Sequence, residues 1–178
     1  MILKWAGGKN KLYIKHQALF PTSFQTYIEP FLGGGSVFFN LSPQKALLAD
    51  VNARLINLFN ALKDDHERLF IAVDKLIHSH SEEQYYKIRE LFNSSNAKPE
   101  YFLYLNRTCF NGVYRENIKG EFNVPVGKRE SSFFPFTMPF NTLAWPACSL
   151  EALFKPLITF CSFTFFVILT FPFSECFR

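Results

Sequence analysis

Gly33, Gly34 and Gly35 stand side by side in "YIEPFLGGGSVFF", in a chain with only eight glycines. At a strand-to-helix junction, backbone N–H groups and the positive end of a helix face outward. Glycine there removes the Cβ that would block a ligand's approach. The spacing departs from the G-x-G-x-x-G of a dinucleotide site, because Val37 and Phe38 follow where a spaced glycine would stand. A pyrophosphate is therefore a poor match, and a nicotinamide dehydrogenase is disfavoured. A ligand carrying an amino-acid carboxylate and a ribose fits better. Asp50, at the end of the next apolar stretch "KALLADV", is placed to accept ribose hydroxyls. Taken alone, the glycines read equally well as a plain flexible turn.

Two further stretches carry candidate chemistry. In "LKWAGGK", Trp5 and Lys9 flank a Gly7-Gly8 bend, which sets an aromatic face and a cation around one turn. Such a pair can stack an adenine or meet a carboxylate. The plain alternative is that Lys4, Lys9, Lys11 and Lys15 form a solvated face. In "NGVYRENIKGEFNVPVGK", residues 111–128, Asn111 can pair with an adenine edge and Arg115 can read guanine. Here the bland reading is that Asn111 makes the turn and Arg115 keeps it soluble.

The elements that must position these residues follow from local pattern. Residues 24–31 form a β-rich run ending at Pro30, and "SVFFNL" opens a helix with Ser36 as a candidate N-cap, stopped near Pro43. Residues 45–51 read as a second buried strand. Residues 52–63 repeat apolar side chains at a helical period, with Asn52 a candidate cap. Strand, glycine loop, helix, strand, acid and helix is the opening of a doubly wound α/β sheet. From 64 to 109 the texture changes to three consecutive amphipathic helices, "DHERLFIAVDKLI", "SEEQYYKIRELFNSS" and "PEYFLYLNRTCF". A hairpin follows, with turns at Asn111-Gly112 and Lys119-Gly120.

The chain of 178 residues has net charge +4 and pI near 8.9, compatible with nucleic acid without being diagnostic. Cys109, Cys148, Cys161 and Cys176 have neither zinc spacing nor a disulfide framework, so no metal is expected and a reducing cytoplasm is the default. No secretory signal opens the chain. Composition breaks near residue 130: 12 of the 23 phenylalanines lie beyond it, against only four charged residues. Residues 156–174 are uncharged, long enough to raise a membrane span, although Phe-rich, Thr-interrupted runs make indifferent ones.

Together, "LKWAGGK", "IEPFLGGGSVFFN", "LLADVNARLINLFNALK" and "YLNRTCFNGVYRENIKGEFNVPVGK" resemble the Dam-type, adenine-specific DNA methyltransferases, over about residues 2–128 and in that family's order. The resemblance implies S-adenosylmethionine as cofactor, duplex DNA as partner and the N6 amine of a flipped adenine as acceptor. It also implies an incomplete Rossmann-like α/β sheet carrying a helical and hairpin target-recognition insert. The expected division is 1–63 for the front of the cofactor domain, 64–130 for the insert and 131–178 for an atypical tail. By position, Trp5, Lys9, Glu29, Pro30, Phe31, Gly33, Gly35 and Asp50 correspond to cofactor-binding positions. Phe110, Asn111, Arg115 and Lys128 correspond to DNA-contacting ones, and Arg107 is expected to anchor its helix to the insert.

The same resemblance calls for an acid or Asn, two prolines and an aromatic after the recognition module. No such string occurs within these 178 residues; "FFPFT" and "TFPFS" lack both the acid and the second proline. Without those acceptors the adenine lone pair stays delocalised, and the preorganised stabilisation is lost. The expectation is a sheet without its later strands, a tail that is read in a shifted frame or is unrelated to the family, and a chain defective in catalysis.

Overall fold

A computed structural model describes residues 2–94, 97–128 and 147–152. The candidate span at 156–174 lies outside the described residues. A bend at Gly7 (φ +70°) leads into a short helix α1, Asn10–Lys15, which the sequence pattern did not predict. Strand β1, Tyr27–Glu29, precedes α2, Ser36–Leu41, and strand β2, Lys45–Asp50, precedes α3, Ala53–His78. Helices α4, Glu82–Asn93, and α5, Pro99–Thr108, follow.

The sheet is parallel in the order β1-β2-β3, where β3 is Ala147–Ala152. Tyr27 pairs with Ala46 and Glu29 with Leu48; across β2, Lys45 pairs with Ala147 and Asp50 with Ala152. The expectation that no strand follows residue 130 is thus corrected. A six-residue stretch beyond the composition break still supplies the ladder partners that β2 would otherwise expose. As the central strand, β2 buries Ala46, Leu48, Ala49 and Asp50, the near-continuous burial of a parallel strand. Glu29 and Asp50 end β1 and β2 at the carboxyl edge of the sheet, where ligands bind in open parallel folds.

Asn52 caps α3 as its type predicts, its side chain accepting from the Leu55 N–H at 3.1 Å. The separate helix expected after residue 63 begins at Asp65, whose non-helical φ −157° and ψ 78° divide α3 into two helical segments. There the Asp65 carboxylate accepts from the Arg68 N–H at 2.9 Å and restarts the helix, as an N-cap would. The apolar face of α3, with Leu55, Leu58, Phe59 and Leu62 wholly buried, packs along α5, whose Phe102 to Leu105 are buried in turn. Ser81 caps α4 through the Gln84 N–H at 3.1 Å.

Helix α2 departs from expectation at its start. Gly35, not Ser36, is its cap, in the left-handed region at φ +67°. Any Cβ on Gly35 would lie 3.0 Å from Phe39 and 3.2 Å from Phe59, so this glycine serves both conformation and packing. Gly35→Ala is expected to cost about 2–4 kcal/mol, the left-handed penalty plus overpacking. A lower urea midpoint at unchanged slope would register that loss; an unmoved midpoint would refute it.

Candidate functional site

The glycine loop is built around two partners that sequence spacing does not disclose. The Gly33 N–H donates to Asp50 Oδ2 at 2.8 Å, and the Asn52 N–H donates to Oδ1 at 2.9 Å. Asp50 therefore grips the loop of β1 and the start of α3 with one carboxylate. The second partner is Trp5. Gly33 holds φ +54°, and a Cβ there would meet the indole at 3.1 Å; one on Gly34 would meet the Trp5 Cβ at 3.1 Å. The close approach that the glycines permit is thus first of all an approach to Trp5.

Lys9 ties the N-terminal bend to the sheet. Its ammonium lies 2.9 Å from Glu29 Oε1 and also donates to the Phe31 carbonyl. The Glu29 side chain is 3% exposed. Burial raises its carboxyl above the ordinary glutamate value near 4.5, an effect that Lys9 opposes without cancelling. Burial, seconded by the Glu29 charge, also pushes the Tyr27 phenol far up and holds it neutral.

These residues wall a cavity of about 210 Å³. Trp5, Lys9, Phe31, Gly33 and Asp50 line it, five of the eight expected cofactor residues. Glu29, Pro30 and Gly35 are not among its lining: Glu29 stands behind Lys9, and Gly35 packs inward on Phe39 and Phe59. The donor set suits a nucleoside. It offers an acidic acceptor for sugar hydroxyls, an indole for stacking, and a backbone loop at the carboxyl ends of two strands. The volume is below the ~300 Å³ at which enclosed small-molecule sites usually begin, so the cavity houses part of such a ligand rather than all of it.

The second group of candidates lies on the segment after α5. Phe110 is 51% exposed, and Asn111, Arg115 and Lys128 are also exposed. Asn111 (φ 55°) and Gly112 (φ 66°) are both left-handed, confirming a turn at that pair. Arg115 Nε donates to Asn123 Oδ1 at 2.9 Å, which fixes the guanidinium across the hairpin. The second predicted turn also forms: the Gly120 N–H donates to the Asn117 carbonyl, beneath an antiparallel bridge between Glu116 and Phe122. Helix α4 holds this hairpin through its side chains. Tyr85 donates to the Val124 carbonyl at 2.8 Å, and Asn93 exchanges bonds of 2.8 and 2.9 Å with the Phe122 backbone.

Three residues tie the two groups together, and two of them escaped the sequence reading. Tyr114 stacks on Trp5, with ring centroids 5.2 Å apart, and on Phe102 at 4.8 Å. Asn106, wholly buried, bonds both the Lys4 backbone and the Gly112 carbonyl. An amide within the apolar run of α5 was the signal available for it. Arg107, expected to anchor its helix to the insert, donates from Nη2 to the Ile2 carbonyl at 2.6 Å and so ties α5 to the N-terminal segment. Cys109 is buried beside this junction; desolvation raises its thiol to about 11, so it remains protonated near neutrality.

The chain is thus an α/β protein with a parallel sheet, and its glycine loop and the acid at the next strand end meet at one cavity. Residues 5–140 match the D12 class N6 adenine-specific DNA methyltransferases, and the chain belongs to that family. It is 43% identical over 143 residues to a DNA adenine methylase of Haemophilus influenzae, covering 75% of this chain and 49% of that protein. A DNA adenine methylase of Escherichia coli is 41% identical over 138 residues, with 75% and 49% covered. A type II methyltransferase of Lactococcus lactis is 38% identical over 132 residues, with 70% and 46% covered. The chain therefore spans about half the length of the curated relatives it matches. The family match also runs to residue 140, past the composition break, so family sequence continues into the Phe-rich stretch. Among the described residues, no helix is long and apolar enough to cross a membrane, and no cluster of His, Cys, Asp and Glu could hold a metal.

Proposed function

We propose that this chain is the cofactor-binding and target-reading front of an S-adenosylmethionine-dependent, adenine-specific DNA methyltransferase. The observation that carries the reading is the convergence of Trp5, Lys9, Phe31, Gly33 and Asp50 on one cavity at the carboxyl edge of the sheet. Asp50 takes the sugar hydroxyls, Trp5 offers its ring, and the backbone at Gly33 and Gly34 passes close to the ligand. S-adenosylmethionine supplies the activated methyl group when bound. Phe110 fills space in the base stack, Asn111 and Arg115 address base edges, and Lys128 meets a phosphate of the duplex. The adenine leaves the helix to be reached.

The chain as it stands binds and does not transfer. No pair of adjacent prolines, and hence no acceptor motif for the N6 hydrogens, occurs within the 178 residues. Calorimetric titration with S-adenosylhomocysteine is expected to show one site. Duplex binding should fall with added salt, as phosphate contacts require, and tritiated methyl transfer should stay at background. Absence of binding heat on folded protein would overturn the cofactor reading. Label in DNA that Asp50→Ala abolishes would overturn the non-catalytic one. Translating the encoding DNA in its other frames beyond codon 140, where the family match ends, tests the shifted-frame origin of the tail, which predicts an Asp-Pro-Pro-Tyr-like stretch there.

A further inference from the structure

Asn106 is wholly buried in α5 and is spent on other segments. Its Oδ1 accepts from the Lys4 N–H at 3.1 Å, and its Nδ2 donates to the Lys4 carbonyl at 2.8 Å. This two-point pairing clamps the residue preceding Trp5 as a neighbouring strand would. Nδ2 also donates to the Gly112 carbonyl at 3.3 Å, one residue beyond Asn111. Gly112 lies so close to Lys4 that a Cβ on it would fall 2.2 Å from the Lys4 side chain. The Tyr114 ring, three residues past Asn111, stacks on Trp5 itself. The wall of the cavity and the exposed turn are therefore pinned to one buried amide.

We infer that Asn106 is a positioning residue that sets the base-reading turn at Phe110–Asn111 against the Trp5 wall of the cofactor cavity. It touches neither ligand. It fixes the orientation of Asn111, whose left-handed backbone gives the turn a single aim, and it does so from the segment that also bounds the cofactor. An amide suits the task because it both accepts and donates. A carboxylate of the same shape would keep the Lys4 N–H bond and turn its second oxygen, an acceptor, toward the Lys4 and Gly112 carbonyls. An aliphatic side chain would leave those groups unsatisfied in a buried site. The ligand assignment rests on the function proposed above; the tie itself does not.

The test separates the two. Hydrogen exchange by mass spectrometry on the full chain reads the tie directly, without any ligand. In Asn106→Asp, exchange should quicken tenfold or more in peptides covering residues 2–5 and 111–114. Gly112→Ala attacks the same junction from the exposed side and should quicken the same peptides even if Asn106→Asp folds poorly. Thr108→Val is the control. That buried hydroxyl donates to the Tyr104 carbonyl of its own helix, at 2.8 Å, and its loss should leave 111–114 unchanged. Fluorescence anisotropy with a labelled duplex then reads the consequence. Asn106→Asp should weaken duplex binding tenfold or more and S-adenosylhomocysteine affinity by a smaller factor, since Asp50 and the Gly33 loop still hold their side of the cavity. Unchanged exchange at 111–114 in both junction variants, or equal quickening in Thr108→Val, overturns the tie. Parallel losses of duplex and cofactor affinity overturn the positioning role. A parent chain that binds no cofactor sinks the functional reading, while the exchange result still decides the tie.

Discussion

Asp50→Ala is expected to weaken cofactor binding a hundredfold or more, about 2.7 kcal/mol. Two losses combine. The carboxylate no longer accepts sugar hydroxyls, and hydrogen bonds to a charged acceptor are worth about 1.5–3 kcal/mol each. The loop also loses its hold, because the Gly33 N–H, 2.8 Å from Oδ2, and the Asn52 N–H, 2.9 Å from Oδ1, are left without their acceptor. Each of these donors that water fails to reach costs a further ~1–3 kcal/mol of stability. Asp50→Asn is an informative companion. Its amide offers one acceptor and points N–H groups at the other backbone donor, so one of the two grips becomes a repulsion. Asparagine should therefore fall on the side of alanine rather than of the parent. Calorimetric titration with S-adenosylhomocysteine checks the first effect and urea unfolding the second. Affinity within threefold of the parent would show that the acid serves the loop alone.

The second large effect is Lys9→Met, which keeps the apolar stem and removes the charge. Glu29 is then left as a buried carboxylate without its cation, a situation that costs about 3–5 kcal/mol. The pH dependence follows from the direction of the Glu29 shift. Burial already raises this carboxyl above its ordinary value near 4.5, so the folded chain holds the proton more tightly than the unfolded one. Stability therefore falls as pH climbs from about 4.5 through the raised folded value, and stays lower above it. Lys9 pulls that value down, so its removal raises the value further and lengthens the fall. The variant's deficit against the parent should be smaller near pH 5 than near pH 8, read by urea unfolding at the two values. Lys9→Met with Glu29→Gln should recover most of the loss at pH 8. A deficit equal at both pH values, or no recovery in the double variant, would mean that the pair contributes packing rather than charge. Because Lys9 also donates to the Phe31 carbonyl, cofactor affinity should fall in both variants.

What could be read along the chain is what depends on near neighbours. Helical and strand periods, the Asn52 cap, the Asn111-Gly112 turn and the acid ending β2 all arise from residues within a few positions of each other. The run of glycines announced a close approach without naming what approaches. Folding supplied that answer, because Trp5 stands 28 positions before Gly33 and reaches it only when the N-terminal segment lies across the sheet. The same holds for β3, which pairs with β2 from a distance of about 100 positions, and for the Lys4–Asn106 bonds, 102 positions apart. Such partners leave no local trace, since hydrogen-bond donors and apolar surface constrain their own element's type and not the identity of the segment that satisfies them. The order of elements and the types of the binding residues were thus determined by the sequence itself. Which of those residues face one cavity, and that a single buried amide joins its wall to the Asn111-Gly112 turn, was decided by tertiary packing alone.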